Sequence, residues 1–175
     1  MSGCRIVCCY IDGMLRPETE DALVGQAGPM VDLVRLSDSP HSYGQTLAAY
    51  WRRGAEGEYD LAIVEQDVVI RPDVIDAFLN CPCEYGAFPY SWGPEVGPAL
   101  GCTRFRVPFM QRYPDAMRLA NLRATWRQLD VVFQRHILVR EHGEQPHICG
   151  PQVEHLNQAK QPRRDVRFVE TLPAW

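Results

Sequence analysis

Residues 61–70, LAIVEQDVVI, constrain the fold of this chain more than any other segment. The first four are all apolar, which predicts a strand buried on both faces in the middle of a parallel sheet. Glu65 and Asp67 follow where that strand ends, and Pro72 predicts the start of a helix. Open α/β sheets bind ligands at the carboxyl ends of their strands, and paired carboxylates there can bind a divalent cation. The segment therefore predicts a strand, an acidic metal-binding turn and a helix as one unit.

The residues before this segment alternate between strand and helix patterns. Buried strands are predicted at residues 5–11 and 30–36, and helices at 17–25 and 43–53, the second with Ser42 as its N-cap. Strands that alternate with helices form parallel sheets, because each helix returns the chain to the edge where the next strand begins. The pattern predicts an α/β fold with a parallel, doubly wound sheet of the nucleotide-binding type.

The second half of the chain is less regular. The patterns predict strands at 85–90 and 99–105, helices at 107–119 and 125–141, an extended segment at 146–156 and a weak strand at 166–169. We expect one domain, residues 1–157, followed by a polar tail, residues 158–175.

Composition indicates a globular protein. Of the 175 residues, 46% are hydrophobic and 23% charged, which is typical of a domain that buries about two-thirds of its unfolded surface. No apolar run reaches about 18 residues and the first residues lack the apolar core of a secretory signal, so we expect a cytoplasmic protein without a membrane span. Seven cysteines, an odd number, argue against a complete disulfide framework. Cys81 and Cys83 are too closely spaced for the usual zinc motifs, and we interpret them as turn residues.

Positive charge is concentrated in residues 104–140. This stretch has eight arginines and two acids, and it therefore carries +6 in a chain whose net charge is −4. The arginines are Arg104, Arg106, Arg112, Arg118, Arg123, Arg127, Arg135 and Arg140. Arginine clusters bind phosphates through a planar fork of donors, but they also occur on solvated helix faces.

The common phosphate-binding loops are absent from the sequence. Neither G-x-G-x-x-G after the first strand nor G-x-x-x-x-G-K-[ST] occurs. Asp12 and Asp38 instead follow the first two predicted strands, where a carboxylate can contact a base or ribose or can cap a turn. Ser37 and Ser39 add polar groups around Asp38.

Three segments resemble the nucleotide-sugar half of the GT-A glycosyltransferases: SYGQTLAAYW at residues 42–51, GEYDLAIVEQD at 57–67 and VIRP at 69–72. In that family a helix leads into a strand that ends in an acidic metal-binding motif, usually D-x-D, and EQD occupies its place here. The similarity extends over residues 5–156 and points to small inverting members of the phage or actinobacterial type. It implies a GT-A-like fold and transfer of a sugar from a nucleotide-diphosphate sugar to an acceptor hydroxyl.

Two later segments extend the resemblance and complete the implied metal site. ALGCTRF at residues 99–105 is similar to the strand that passes the sugar, with Gly101 close to the ligand. GPQVEH at 150–155 is similar to the late segment that provides a histidine ligand. The resemblance thus implies that Glu65, Asp67 and His155 bind Mn²⁺ or Mg²⁺.

The resemblance implies Asp130 as the general base of an inverting reaction. Asp130 lies beside an apolar stripe of its predicted helix, which would raise the pKa of its carboxyl group. An ion pair with Arg123 or Arg127 is the alternative. The family's usual E-D doublet reads Leu129-Asp130 here, and the acceptor half is short, so retention without a side-chain base stays open.

Donor and acceptor can also be assigned expected positions. The donor-binding residues expected at the strand ends and in the motifs are Tyr10, Asp12, Asp38, Gln45, Gln66 and Gly101. An acceptor lying across the loop 91–98 and the arginine-rich stretch would be polyanionic, and a modified DNA base is the acceptor that the resemblance suggests. A small-molecule or cell-envelope acceptor is the alternative. A nucleotidyltransferase and a non-catalytic nucleotide-sugar or glycan-binding domain are the alternatives.

Overall fold

The computed structural model of this chain describes residues 3–27, 30–92, 95–150, 153–156 and 167–168. The strands in chain order are β1 (Gly3–Tyr10), β2 (Val31–Arg35), β3 (Tyr59–Glu65), β4 (Val68–Val69), β5 (Tyr85–Ala87), β6 (Tyr90–Trp92), β7 (Glu95–Gly97), β8 (Cys102–Phe105), β9 (His147–Ile148), β10 (Glu154–His155) and β11 (Arg167–Phe168). The helices are α1 (Pro17–Ala27), α2 (Ser42–Ala55), α3 (Pro72–Asn80), α4 (Val107–Arg112) and α5 (Ala116–Arg123), followed by a 3₁₀ turn (Trp126–Gln128) and a π-type helix (Val131–Glu141).

A six-stranded sheet in the order β2-β1-β3-β8-β5-β9 forms the centre of the fold. β1 is parallel to both β2 and β3, and β9 is parallel to β5. Residues 6–9 of β1 and 61–64 of β3 are buried, because helices cover both faces of the sheet. The prediction of an α/β fold with a mostly parallel sheet is confirmed.

One strand departs from the predicted parallel order. β8 runs antiparallel to both of its neighbours, β3 and β5. The short strands β6 and β7, and no helix, connect β5 to β8 in the described part of the chain. Without a crossover helix, the chain re-enters the sheet at the end where β5 finishes, so β8 runs antiparallel to β5. β8 is therefore the antiparallel strand of an otherwise parallel sheet.

Two apolar cores lie on the two faces of the sheet. On one face, Trp51 of α2 packs edge-on against Phe105 and Phe133, with ring centroids 5.0 and 5.2 Å apart. On the other face, Phe78 of α3 packs against Phe88 with centroids 5.0 Å apart. The sheet is thus held between α1 and α3 on one side and α2, α4, α5 and the π-type helix on the other.

Three helical predictions need correction. The helix predicted at 107–119 is two helices, because Pro114 disfavours helical backbone at the residue before it. The helix predicted at 125–141 begins as the 3₁₀ turn and continues with π-type geometry. Ser42 does not cap α2, because its hydroxyl donates to the carbonyls of Ser37 and Ser39, each at 2.9 Å.

Two smaller sheets complete the architecture. β10 pairs antiparallel with β4, and β7 pairs with β6 and β11. Of the predicted polar tail, only residues 167–168 lie within the described part of the chain. Among the described residues, no helix is long and apolar enough to span a membrane.

Candidate functional site

The turn after β3 brings together the residues predicted to bind a metal. Glu65 is the last residue of β3, and Asp67 lies in the turn that leads to β4. β10 pairs with β4 and places His155 opposite Val68. The backbone N–H of Leu156 donates to the carbonyl of Asp67 at 2.9 Å, which fixes this pairing beside the turn.

Glu65, Asp67 and His155 form a compact group of potential metal ligands. Their ligand atoms all lie within 4.8 Å of one another. His155 Nε2 is 3.4 Å from Asp67 Oδ2, and the two side chains are only 12% and 10% exposed. Two carboxylates and an imidazole fit Mn²⁺ better than Mg²⁺, which favours oxygen ligands and water.

Tyr90 and Gly101 position the carboxylate of Glu65. The Tyr90 hydroxyl donates to Glu65 Oε2 at 3.0 Å and accepts from the backbone N–H of Gly101 at 3.2 Å. The Tyr90 ring also stacks on His155, with centroids 5.1 Å apart. A Cβ atom at Gly101 would collide with the Glu65 carboxylate and with the Tyr90 hydroxyl. Gly101 is therefore required for the geometry of the site, as a neighbour of the potential ligand Glu65.

The electrostatics of this group favour a bound cation. Burial, followed by the negative charges of Asp67 and Asp130, raises the pKa of Glu65 to about 7, while the hydrogen bond from Tyr90 lowers it. Burial also raises the pKa of Asp130, whereas a backbone hydrogen bond and the charge of Arg135 act in the other direction. A divalent cation would remove the cost of holding these carboxylates together in their ionised forms.

A cleft of about 580 Å³ opens beside the acidic turn. It lies at the carboxyl ends of β1, β2 and β3 and reaches the start of α2 and the 3₁₀ turn. Its lining residues are Cys9, Ile11, Met14, Leu36, Ser37, Asp38, Ser39, Pro40, Ser42, Tyr43, Glu65, Gln66, Asp67, Trp126, Arg127 and Asp130. This volume is in the range of small-molecule and cofactor sites.

Two of the predicted donor-binding residues, Asp38 and Gln66, line this cleft. Gln66 also has a structural role, because its side-chain oxygen accepts the N–H of Ile11 at 2.9 Å and its carbonyl accepts the N–H of Arg16 at 3.0 Å. These two bonds connect the end of β1 to the acidic turn.

The other predicted nucleoside contacts do not line the cleft. Tyr10 lies between Cys9 and Ile11, which do, and side chains of successive strand residues point to opposite faces. Gln45 follows Tyr43 by two residues, about 200° around a helix, and its side chain is exposed.

Asp12 is also absent from the cleft lining. Its carboxylate forms an ion pair with Arg35 at 2.9 Å on the surface. Tyr10, Asp12 and Gln45 therefore lie outside the cleft lining, and their assignment as nucleoside contacts stays a prediction.

Asp130 lies where two cavities meet. Together with Glu65 it lines both the cleft and a smaller cavity of about 190 Å³. The smaller cavity is completed by Tyr90, Pro98, Ala99, Val131, Gln134, Arg135 and His155. The two arginines predicted as alternative ion-pair partners of Asp130 make other contacts. Arg123 pairs with Glu141, and Arg127 lies over the ring of Trp126.

Six of the eight arginines of residues 104–140 are buried or paired with acids among the described residues. Arg104 is buried and bonds to Asp60 at 2.7 Å, and Arg135 is buried at the smaller cavity. Others pair with acids, namely Arg106 with Asp60, Arg112 with Glu84 and Glu144, Arg118 with Asp115, and Arg123 with Glu141. The predicted polyanion-binding surface therefore lacks support here, and residues 93–94 of its loop lie outside the described part of the chain.

Sequence reasoning did not assign a role to several residues at the site. Tyr90 was predicted to end a strand, as an aromatic that could stack on an acceptor base, and nothing in the sequence indicates that its hydroxyl reaches Glu65. Tyr43 lines the cleft, and its buried hydroxyl has no hydrogen-bond partner among the described residues. Tyr43 and Ser42 do begin the segment that resembles the GT-A family, and that signal could have identified them.

Comparisons with known proteins do not identify a family for this chain. No protein-family model matches it. No curated protein sequence matches it. A solved structure titled "Crystal Structure of A197 from STIV" aligns with a TM-score of 0.43 at 18% identity, covering 62% of this chain and 68% of that one. A likeness at this level carries no argument about function.

Proposed function

We propose that this chain is a metal-dependent glycosyltransferase that moves a sugar from a nucleotide-diphosphate sugar to an acceptor hydroxyl. The observation that carries the proposal is the position of Glu65, Asp67 and His155. These potential ligands lie beside a cleft large enough for a nucleotide, and Glu65 and Asp130 also line the smaller cavity. Two adjoining cavities suit a reaction between two substrates.

The larger cleft has the chemistry of a nucleoside site. Ile11, Met14 and Trp126 are apolar lining residues that are 38%, 49% and 46% exposed, and they can cover the faces of a base. Asp38 and its neighbouring serine hydroxyls offer acceptors and donors for the polar edge of the base or the ribose. The diphosphate would then extend towards Glu65 and Asp67.

The reaction that this arrangement supports is a displacement at the anomeric carbon of the sugar. An acceptor oxygen forms the new bond to that carbon, and the bond to the diphosphate oxygen breaks. A bound Mn²⁺ would supply positive charge against the charge that develops on the diphosphate. Arg127 lines the same cleft and can add a guanidinium group.

Asp130 is the residue that can receive the acceptor proton. It lies at the boundary of the two cavities, and burial raises the pKa of its carboxyl towards the range of a useful base. An acceptor hydroxyl in the smaller cavity would lie between Asp130 and the sugar carbon. This assignment corresponds to inversion at the anomeric carbon.

A panel of nucleotide sugars tests the proposal. Each is incubated with Mn²⁺ and the protein, with and without small glycans, a lipid acceptor or DNA with a modified base, and release of nucleoside diphosphate is measured. We expect slow donor hydrolysis that an acceptor accelerates. Asp130→Asn should keep donor binding and lose transfer. Pyrophosphate release from a nucleoside triphosphate and a sugar phosphate would instead identify a nucleotidyltransferase, and donor binding without turnover would identify a binding domain.

A further inference from the structure

A second group of metal-ligating side chains lies at the opposite edge of the sheet from β2. Cys81 and Cys83 follow α3, and His147 belongs to the edge strand β9. The Sγ atoms of the two cysteines and a ring nitrogen of His147 all lie within 4.8 Å of one another. Cys149 does not belong to this mutually close set, but it borders the set, because its Sγ is 3.7 Å from Cys81 Sγ.

From this geometry we propose that Cys81, Cys83, His147 and Cys149 form a structural zinc site. Three thiolates and one imidazole are a common ligand set of structural zinc, whereas Mn²⁺ and Mg²⁺ favour oxygen. With Zn–S bonds of about 2.3 Å, two sulfurs of a tetrahedral site lie about 3.8 Å apart. The 3.7 Å between Cys81 and Cys149 matches that edge, and it is far longer than the roughly 2.05 Å of a disulfide.

The sheet explains how these distant residues meet. β9 pairs parallel with β5, which places His147 beside Gly86. The N–H of Cys149 donates to the carbonyl of Ala87 at 2.9 Å. Gly86 leaves the necessary space, because a Cβ there would lie 2.8 Å from Cys149 Sγ. Cys81 and Cys83 therefore meet a His-x-Cys pair, His147 and Cys149, from β9 and the residue that follows it. The spacing of the cysteines in the sequence did not reveal this meeting.

Two arginine side chains donate hydrogen bonds to backbone carbonyls of the Cys81–Cys83 loop and hold it independently of its thiols. Arg104 Nη1 donates to the carbonyl of Cys81 at 2.7 Å, and Arg106 Nη1 donates to that of Pro82 at 3.4 Å. Three thiolates around Zn²⁺ leave a net charge of −1. The two guanidinium groups share one acidic partner, Asp60, so one positive charge is left to balance the zinc site. His147 is exposed and Cys81 and Cys83 are partly exposed, so an ion can enter from solvent and the thiol protons can leave to it.

This site is distinct from the proposed catalytic metal site, and its test does not need activity. The full chain is purified with a reductant and without chelators, its zinc content is measured, and Co²⁺ is titrated into the metal-free protein. We expect one zinc per chain and a thiolate-to-cobalt charge-transfer band. Co²⁺ bound to Glu65, Asp67 and His155 cannot produce this band, because no thiolate belongs to that group.

Matched variants decide the assignment. Cys81→Ser and His147→Gln should each weaken Zn²⁺ binding about a hundredfold or more, since each removes one of four ligands. His147 is exposed, so His147→Gln tests the site without disturbing the core. Cys4→Ser, at the start of β1, should keep full affinity. The proposal is overturned if the reduced wild-type protein gives no charge-transfer band, if the ligand variants bind like wild type, or if a Cys81–Cys149 disulfide forms and no zinc binds.

Discussion

The position of the Glu65 carboxylate in the acidic turn depends on close contacts with Gly101 and Tyr90. Glu65 occupies the space that a side chain at Gly101 would fill, and the hydroxyl of Tyr90 bonds to both residues. The sequence identified Gly101 as a residue close to a ligand. In the structure Gly101 contacts Glu65, and the backbone N–H of Glu65 also donates to the carbonyl of Gly101 at 2.8 Å.

Gly101→Ala should therefore weaken Mn²⁺ binding more than it weakens the fold. The added methyl meets the far ends of the Glu65 and Tyr90 side chains, which can move away, but the moved carboxylate no longer faces Asp67 and His155. Calorimetric titration with Mn²⁺ measures the effect. Gly25→Ala is the matched control, since a Cβ there meets nothing within 4 Å. Equal Mn²⁺ affinity in the two variants would contradict the role of Gly101.

The pKa of Glu65 predicts how metal binding depends on pH. The pKa is raised to about 7 in the metal-free protein, so below that pH a proton must leave before the carboxylate can bind a cation. Mn²⁺ affinity should be constant above pH 7 and should fall up to about tenfold per unit below it. Tyr90→Phe removes a hydrogen bond that lowers this pKa, so the fall should begin at a higher pH. A pH-independent affinity between pH 5.5 and 8 would refute this account.

At the scale of the elements, the predictions succeeded where one strand or helix determined the outcome. The apolar run 61–64 ending in Glu65 and Asp67 was enough to predict β3 and its acidic turn. The sequence did not indicate that Tyr10 and Gln45 lie outside the cleft lining, because chain order predicts which strand or helix approaches a ligand and not which of its faces does so. The side-chain partners of the arginines and the meeting of Cys81 with Cys149 depend on contacts between distant elements, which no local pattern contains.

The 3₁₀ turn makes a testable contribution to the cleft. Trp126 is 46% exposed and lines the cleft, so its ring can stack on the donor base. Trp126→Ala should weaken nucleoside-diphosphate binding by about 1–3 kcal/mol, the usual range for aromatic stacking on a base. Leu122→Ala, at a residue that is 69% exposed and outside the cleft lining, should leave binding unchanged. Fluorescence titration of both variants measures the difference, and equal affinities would exclude Trp126 from the site.

Across the whole molecule, the core that contains Trp51 supports the helix next to the site. Trp51 is buried against Phe105 of β8 and Phe133 of the π-type helix, and Asp130 directly precedes that helix. This packing links the acidic turn, the sheet and Asp130 in one body. A substitution that leaves a cavity in this core should therefore lower the free energy of unfolding and also disturb the geometry of the site.

Trp51→Ala should lower the free energy of unfolding by about 3–5 kcal/mol, as expected for removing a buried aromatic side chain. The same substitution at the half-exposed Trp126 should cost much less, because it leaves no internal cavity. Urea denaturation of the two variants compares these costs directly. Similar losses at both positions would show that Trp51 does not have the core role described.

The central claim is that Glu65, Asp67 and His155 bind a divalent cation that in turn holds a nucleoside diphosphate. Calorimetric titration of nucleoside diphosphates into the protein, with and without Mn²⁺, tests it most directly in wild type, Asp67→Ala and Asp73→Ala. Asp73 is the control because it is an exposed acid in the first turn of α3 that pairs with Arg71. We expect Mn²⁺-dependent binding in wild type and Asp73→Ala and its loss in Asp67→Ala with the fold retained. Binding that does not need Mn²⁺, or that survives unchanged in Asp67→Ala, would contradict the claim.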